Sequence, residues 1–156
     1  MSIVKVKEYF KQYGMEDRIL EFEESSATVE LAAMAVGCEP ARIAKSLSFM
    51  VNEKPVLIVA AGDAKIDNSK YKGVFKTKAK MLSRDEVKTL IGHEVGGVCP
   101  FGIKDGVNVY LDVSLKRFET VFPAAGSGNS AIELTIPELE KYSDSIGWVD
   151  VCKNWE

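Results

Sequence analysis

The chain has 156 residues, 46% hydrophobic and 28% charged, which suits one globular domain spanning 1–156 and excludes a disordered, collagen-like or coiled-coil chain. Its net charge of −3, from 20 Lys and Arg against 23 Asp and Glu, taken whole argues against a nucleic-acid partner. No apolar run reaches the ~18–20 residues of a membrane span, the start lacks a signal-peptide pattern, and Cys38, Cys99 and Cys152 are scattered and odd in number; the expectation is a cytoplasmic protein with no metal, organic cofactor or membrane partner.

Residues 2–13 place Val6, Phe10 and Tyr13 at helical spacing, with Gly14 as the stop. Arg18 to Glu23 reads as a short strand. Ser25, Ser26 and Thr28 offer caps for a helix running to Val36, which Gly37 ends. From Ile43 to Val51 the pattern alternates, with Ile43, Lys45, Leu47, Phe49 and Val51 on one face; a turn at 52–54 then leads to the apolar run Pro55–Ala61, a buried strand hairpinned to the first. Ser83 and Glu86 form a capping box for a helix to Ile91. Val107–Val113 and Phe118–Phe122 are strand-like around a helical turn at 114–117. Ala131–Leu134 is another strand, Thr135 and Glu138 box a helix to Tyr142, and Trp148–Val151 closes the chain as a strand. The irregular spacing opposes a doubly wound sheet and predicts a mixed sheet with peripheral helices.

The charge is uneven. Residues 65–88 hold Lys65, Lys70, Lys72, Lys76, Lys78, Lys80, Arg84 and Lys88 against Asp67, Asp85 and Glu86, a net +5 beside −8 elsewhere. Such a segment is either a solvated surface or a local site for a polyanion. Lys76, Lys78 and Lys80 alternate, which on a strand projects all three from one side.

Lys45 stands on the apolar face of its strand, where a charge is costly unless paired or wetted. Either it begins the strand and snorkels past the end, or it lines a cleft and meets a phosphate or a developing oxyanion. Five glycines fall in two loops, Gly96-Gly97-Val98-Cys99-Pro100-Phe101-Gly102 and Gly126-Ser127-Gly128-Asn129. They read as tight turns or as loops whose backbone N–H groups approach a ligand. The run from Gly126 to Ala131 formally matches G-x-G-x-x-A, but a strand follows it, whereas the dinucleotide fingerprint requires a helix. Cys99 and His93 are the available nucleophile–base pair; with nothing in the sequence joining them, a bystander thiol is expected.

The Lys45-Ser46-Leu47 strand, the Gly-x-x-x-Pro element from Gly96 to Pro100, and the Gly126 loop followed by Ile132-Glu133-Leu134 occur in that order. Together they resemble the YbaK/EbsC-like family of aminoacyl-tRNA deacylases, also found as the editing insertion of bacterial prolyl-tRNA synthetases. The resemblance implies a mixed α/β fold, with a curved, barrel-like mixed sheet flanked by helices. It implies a trans-acting deacylase that hydrolyses the ester of mischarged tRNA, usually a proline tRNA, without a cofactor.

By that resemblance Lys45 is the catalytic-site residue, holding the phosphate or sugar region of the terminal adenosine. Phe22, Ser46, Gly96, Gly97, Pro100, Gly126, Ser127 and Gly128 shape the substrate pocket, and Lys70, Lys76, Lys78 and Lys80 meet the tRNA. The partners implied are mischarged tRNA and an aminoacyl-tRNA synthetase, with neither DNA nor membrane. Ala124, Ala131, Phe22 and Cys99 stand where relatives often carry Ser, Asp, Tyr and Ser, which implies a less polar pocket and no obligatory Cys99 nucleophile. The alternative is a non-catalytic tRNA- or synthetase-binding domain of the same fold.

Overall fold

A computed structural model describes residues 2–155. Its strands in chain order are β1 (Ile19–Glu21), β2 (Ile43–Val51), β3 (Lys54–Ala61), β4 (Lys65–Ile66), β5 (Asn108–Asp112), β6 (Thr120–Pro123), β7 (Ser130–Ile132), β8 (Leu134–Thr135), β9 (Gly147–Val149) and β10 (Cys152–Lys153). The helices are α1 (Ser2–Lys11), α2 (Val29–Val36), α3 (Asn68–Phe75), α4 (Arg84–Glu86) and α5 (Ile136–Tyr142).

Six strands form a curled, half-barrel mixed sheet in the order β8-β6-β2-β3-β5-β9. The β2–β3 hairpin at its centre turns through Asn52 and Glu53, at φ 49° and 68°. Both residues sit in the left-handed region that a two-residue hairpin turn demands. Val56 to Ala61 of β3 are buried without a break, because β3 has neighbours in the plane on each side (β2 and β5) and is covered on each face. Two short antiparallel ladders, β1–β7 and β4–β10, close the ends.

Helix α1 buries Val6 and Phe10, the Phe10 ring standing 4.8 Å from that of Phe101. Thr28 Oγ1 accepts from Leu31 N–H at 3.2 Å to start α2, and Gly37 at φ 78° ends it. The expected capping boxes at Ser83 and Thr135 are both closed. The first leads into one turn of α-helix, then a wider π-turn over Val87–Ile91 rather than a regular helix.

Three local expectations need correction. Glu133 interrupts the strand expected at 131–134, so that β7 pairs with β1 while β8 turns to β6. The closing strand is two pieces, β9 in the main sheet and β10 against β4. The basic segment contains α3, which the sequence masks with Gly73 and a thin apolar stripe of Tyr71 and Phe75; Asp67 caps it by accepting from the N–H groups of Ser69 and Lys70 at 2.9 and 3.1 Å. Lys76 therefore ends a helix in the left-handed conformation, and Lys78 and Lys80 follow in irregular chain rather than on a strand. All three lysines are nonetheless exposed.

Candidate functional site

The site begins with a gap beside β2. Strand β6 pairs with β2 only at Ile43 and Ala44. Farther along, Ser48 O accepts from Leu82 N–H at 3.1 Å and Met50 N–H donates to Lys80 O at 2.8 Å. Between these contacts the edge of β2 has no strand partner. By the two-residue period of a strand, Ser46 turns its backbone N–H and C=O toward the same edge as Ser48 and Met50, into the gap.

A cleft of about 430 Å³ occupies this gap, within the size range of small-molecule sites. Its apolar wall comes from Ala32, Ile43, Phe122, Ala124 and Ala131, and its other wall includes Met81, Leu82, Arg84 and Val87. Ala124 and Ala131 bridge one another across the turn from β6 to β7. No carboxylate lines the cleft among the described residues.

Lys45 lies in its wall. Its side chain runs past the end of β3, where Nζ donates to the carbonyls of Gly62 (3.3 Å) and Ala64. No carboxylate lies within ion-pair distance of it among the described residues. Burial pulls its pKa below the usual lysine value. The turn that holds it depends on Gly62, where a Cβ would stand 2.0 Å from Pro40 O and 2.7 Å from Val29 Cγ1.

Two hydroxyls in the cleft wall, Ser26 Oγ and Ser46 Oγ, are buried and have no hydrogen-bond partner. Leaving a buried polar atom unpaired is costly. Ser46 was expected in the pocket. Ser26 was not, although the signal was present: α2 needs one capping oxygen and Thr28 supplies it, which leaves Ser26 unexplained.

The two glycine loops meet. Ser26 N–H donates to Gly128 O at 2.7 Å, and Phe22 N–H to Asn129 O at 2.8 Å, tying the second loop to the segment before α2. Gly97 is pressed against the backbone at Gly126 and Ser127. Among the residues expected around the substrate, Lys45, Ser46 and Gly96 line the cleft; Gly126, Ser127 and Gly128 line an adjoining hollow of about 280 Å³. The two spaces share Val95. Gly97 is packed between the loops. Pro100 is buried and borders a different depression with Tyr9 and Tyr142. Phe22 contacts the second loop through its backbone rather than through the cleft.

Cys99 and His93, unconnected in sequence, lie together, with Sγ 3.6 Å from Nε2. The contact does not activate the thiol. Cys99 is fully buried, which pushes its pKa up to about 12, and burial lowers that of His93. A thiolate is the reactive form, so this pair is a packed neighbour of the loop. Lys70 is tethered: its Nζ donates to Asp150 Oδ1 at 3.1 Å and Cys152 O at 2.9 Å. Arg84, from the basic segment, reaches the cleft wall.

The profile of the aminoacyl-tRNA editing domain matches residues 23–142. YwhH of Bacillus subtilis is 59% identical over the full length of both chains. Proline--tRNA ligases of Bacillus cytotoxicus and Aquifex aeolicus are 32% and 34% identical over 54% and 56% of this chain. Those stretches are only 15% and 16% of the ligases. Among solved structures, a candidate trans-editing enzyme for prolyl tRNA synthetase superposes with a TM-score of 0.87 at 27% identity over 97% of each chain. The hypothetical protein APE2540 does so at 0.84 and 26%, over 96% of this chain and 99% of its own. The profile spans every residue that lines the cleft, and the chain belongs to the aminoacyl-tRNA editing domain family.

Proposed function

We propose that this protein is a trans-acting deacylase that removes a wrongly attached amino acid from the 3′ end of a tRNA, with proline tRNA as the first candidate. The observation that carries the reading is Lys45, which lines a cleft with no acidic group among the described residues and whose ammonium, without a carboxylate partner among them, is held by the carbonyls of Gly62 and Ala64. A cation so placed suits the phosphate or sugar region of a terminal nucleotide. The exposed lysines at 76, 78 and 80 supply a surface for the rest of the polyanion, and residues 1–156 act as one editing unit.

The chemistry needs no protein nucleophile. Water adds to the ester carbonyl, the carbon–oxygen bond to the ribose breaks, and the ribose oxygen leaves with a proton. The substrate's free ribose hydroxyl orients the water. The unpaired N–H of Ser46 is the donor toward the developing oxyanion, a type of contact worth roughly 10²–10³ in rate. Ala124 and Ala131 leave the amino-acid end of the cleft small and weakly polar, suited to a small side chain.

A panel of mischarged tRNAs, incubated with wild type and Lys45→Ala, tests the reading. One ester should be hydrolysed, and Lys45→Ala should lower its turnover by about 10²–10³. Hydrolysis of none sinks the deacylase; retained tRNA binding without turnover favours the non-catalytic alternative.

A further inference from the structure

The hollow beside the cleft is the least explained feature of the molecule. Lys5, Lys88, His93, Glu94 and the Gly126–Gly128 loop line it, and it shares Val95 with the cleft. Lys5 and Lys88 are both exposed cations at its mouth. Glu94, 76% exposed, pairs loosely with Lys88 at 3.9 Å and can turn to water. Gly126 at φ 95° and Gly128 leave the loop without side chains at two positions, so its backbone can come close to a bound group, although the Gly126 N–H is itself turned to the Cys99 sulfur.

The decisive group is His93. Its ring is 1% exposed, and Nε2 lies 2.7 Å from Phe101 O. A carbonyl can only accept, so the proton sits on Nε2 and Nδ1 carries a lone pair. That Nδ1 is buried without a partner. Burial lowers the pKa of His93 and Lys5 acts in the same direction, so the ring stays neutral and Nδ1 stays an acceptor. The hollow is therefore lined by two cations for an anion and by a histidine whose buried Nδ1 is an unused acceptor for a hydroxyl. A phosphate and a hydroxyl together are what one ribonucleotide offers, and a deoxynucleotide lacks the hydroxyl.

We infer that the hollow is a ribose–phosphate subsite: the phosphate of a nucleotide upstream of the aminoacyl end rests against Lys5, Lys88 and the Gly126–Gly128 loop, and its 2′-hydroxyl donates to His93 Nδ1. This rests on the tRNA reading above and deepens it, because the subsite makes recognition depend on an RNA sugar. The two spaces adjoin at Val95, so neighbouring nucleotides of one single strand would occupy them.

The test uses the whole chain and a short oligoribonucleotide ending in CCA, with counterparts carrying a single 2′-deoxy sugar at each position. Binding is measured by titration and by chemical-shift changes of the His93 ring and the Gly126–Gly128 amides. One deoxy position should weaken binding about tenfold, the loss expected for one hydrogen bond to a buried acceptor, and the ribo-oligonucleotide should shift those signals. The exposed pair Lys5→Met and Lys88→Met should weaken all oligonucleotides and lower the salt slope by about 1.4. Equal affinity for every deoxy counterpart overturns the sugar contact, and an unchanged salt slope overturns the phosphate contact. Ordinary oligonucleotide binding by a protein that hydrolyses no aminoacyl ester would overturn the deacylase while leaving the subsite standing. Turnover with no sugar dependence would do the reverse.

Discussion

Gly97 lies directly against the backbone of Ser127: a Cβ at Gly97 would stand 2.5 Å from Ser127 N and 2.6 Å from Ser127 Cα. This contact joins two loops separated by about thirty positions in the chain. Any side chain at 97 must push the Gly126 loop away, and the loop is itself tied to Phe22 and Ser26 by backbone hydrogen bonds. Gly97→Ala should therefore cost about 1–3 kcal/mol of stability, the usual range for overpacking, read as a lower midpoint in chemical denaturation. Activity should fall further than stability accounts for, since both spaces change shape.

The orphan hydroxyls give a different signature. Ser26→Ala and Ser46→Ala remove buried oxygens that have no partner in the free protein. Each variant should keep its midpoint or gain slightly, while deacylation weakens by about fivefold, equivalent to roughly 1 kcal/mol for a hydrogen bond made only to the ligand. Parallel losses of stability and activity would show that the hydroxyls serve the fold instead.

Thiol labelling separates the three cysteines. Burial raises the pKa of Cys99 and Cys152 to about 12 and exposure of both is 0%, so each stays a protonated, shielded thiol at pH 7–8. Cys38 is only partly buried. It should react with a maleimide in the native protein, and the other two only in denaturant. Cys99→Ser should retain deacylation, which a Cys99 nucleophile would forbid.

The Arg18–Glu138 pair should make stability depend on acid. Arg18 Nη1 donates to Glu138 Oε2 at 2.8 Å, and this contact first, with the Thr135 cap, holds the Glu138 carboxyl at about 2 instead of 4.5. A depressed folded pKa stabilises above the unfolded value, and that stabilisation is lost as pH falls from about 4.5 through about 2. Arg18→Gln should lose about 1 kcal/mol at pH 7, after allowance for solvent screening of this surface pair. The gap from wild type should close on approaching pH 2 in pH-resolved unfolding.

The basic segment should divide by mutation. Lys70→Ala breaks the tether to Asp150 and Cys152 that fastens α3 to the C-terminal strand, so it should lower the thermal midpoint. Replacing Lys76, Lys78 and Lys80 together should leave the midpoint in place, weaken tRNA binding and reduce its salt dependence by about 2.

The sequence by itself determined the local elements whose causes are local. The capping boxes at Ser83 and Thr135, the Gly37 stop and the β2–β3 hairpin each depend on residues a few positions apart, and all formed as read. The oddity of Lys45 was equally legible, because a charge between Ile43 and Leu47 breaks a short pattern. Helix α3 was not, since its apolar stripe is two residues and its start depends on an Asp67 cap that looks like any turn aspartate.

Only the tertiary structure decided the site. The gap beside β2 exists because β6 leaves it after Ala44 and residues 80–82 rejoin it at Ser48. The Gly97–Ser127 contact, the Cys99–His93 approach and the unpaired atoms of Ser26, Ser46 and His93 are all long-range or depend on burial. A pattern of residue types records which groups prefer to be buried or capped. It does not record which distant backbone arrives to pair with them, or which buried groups are left without a partner.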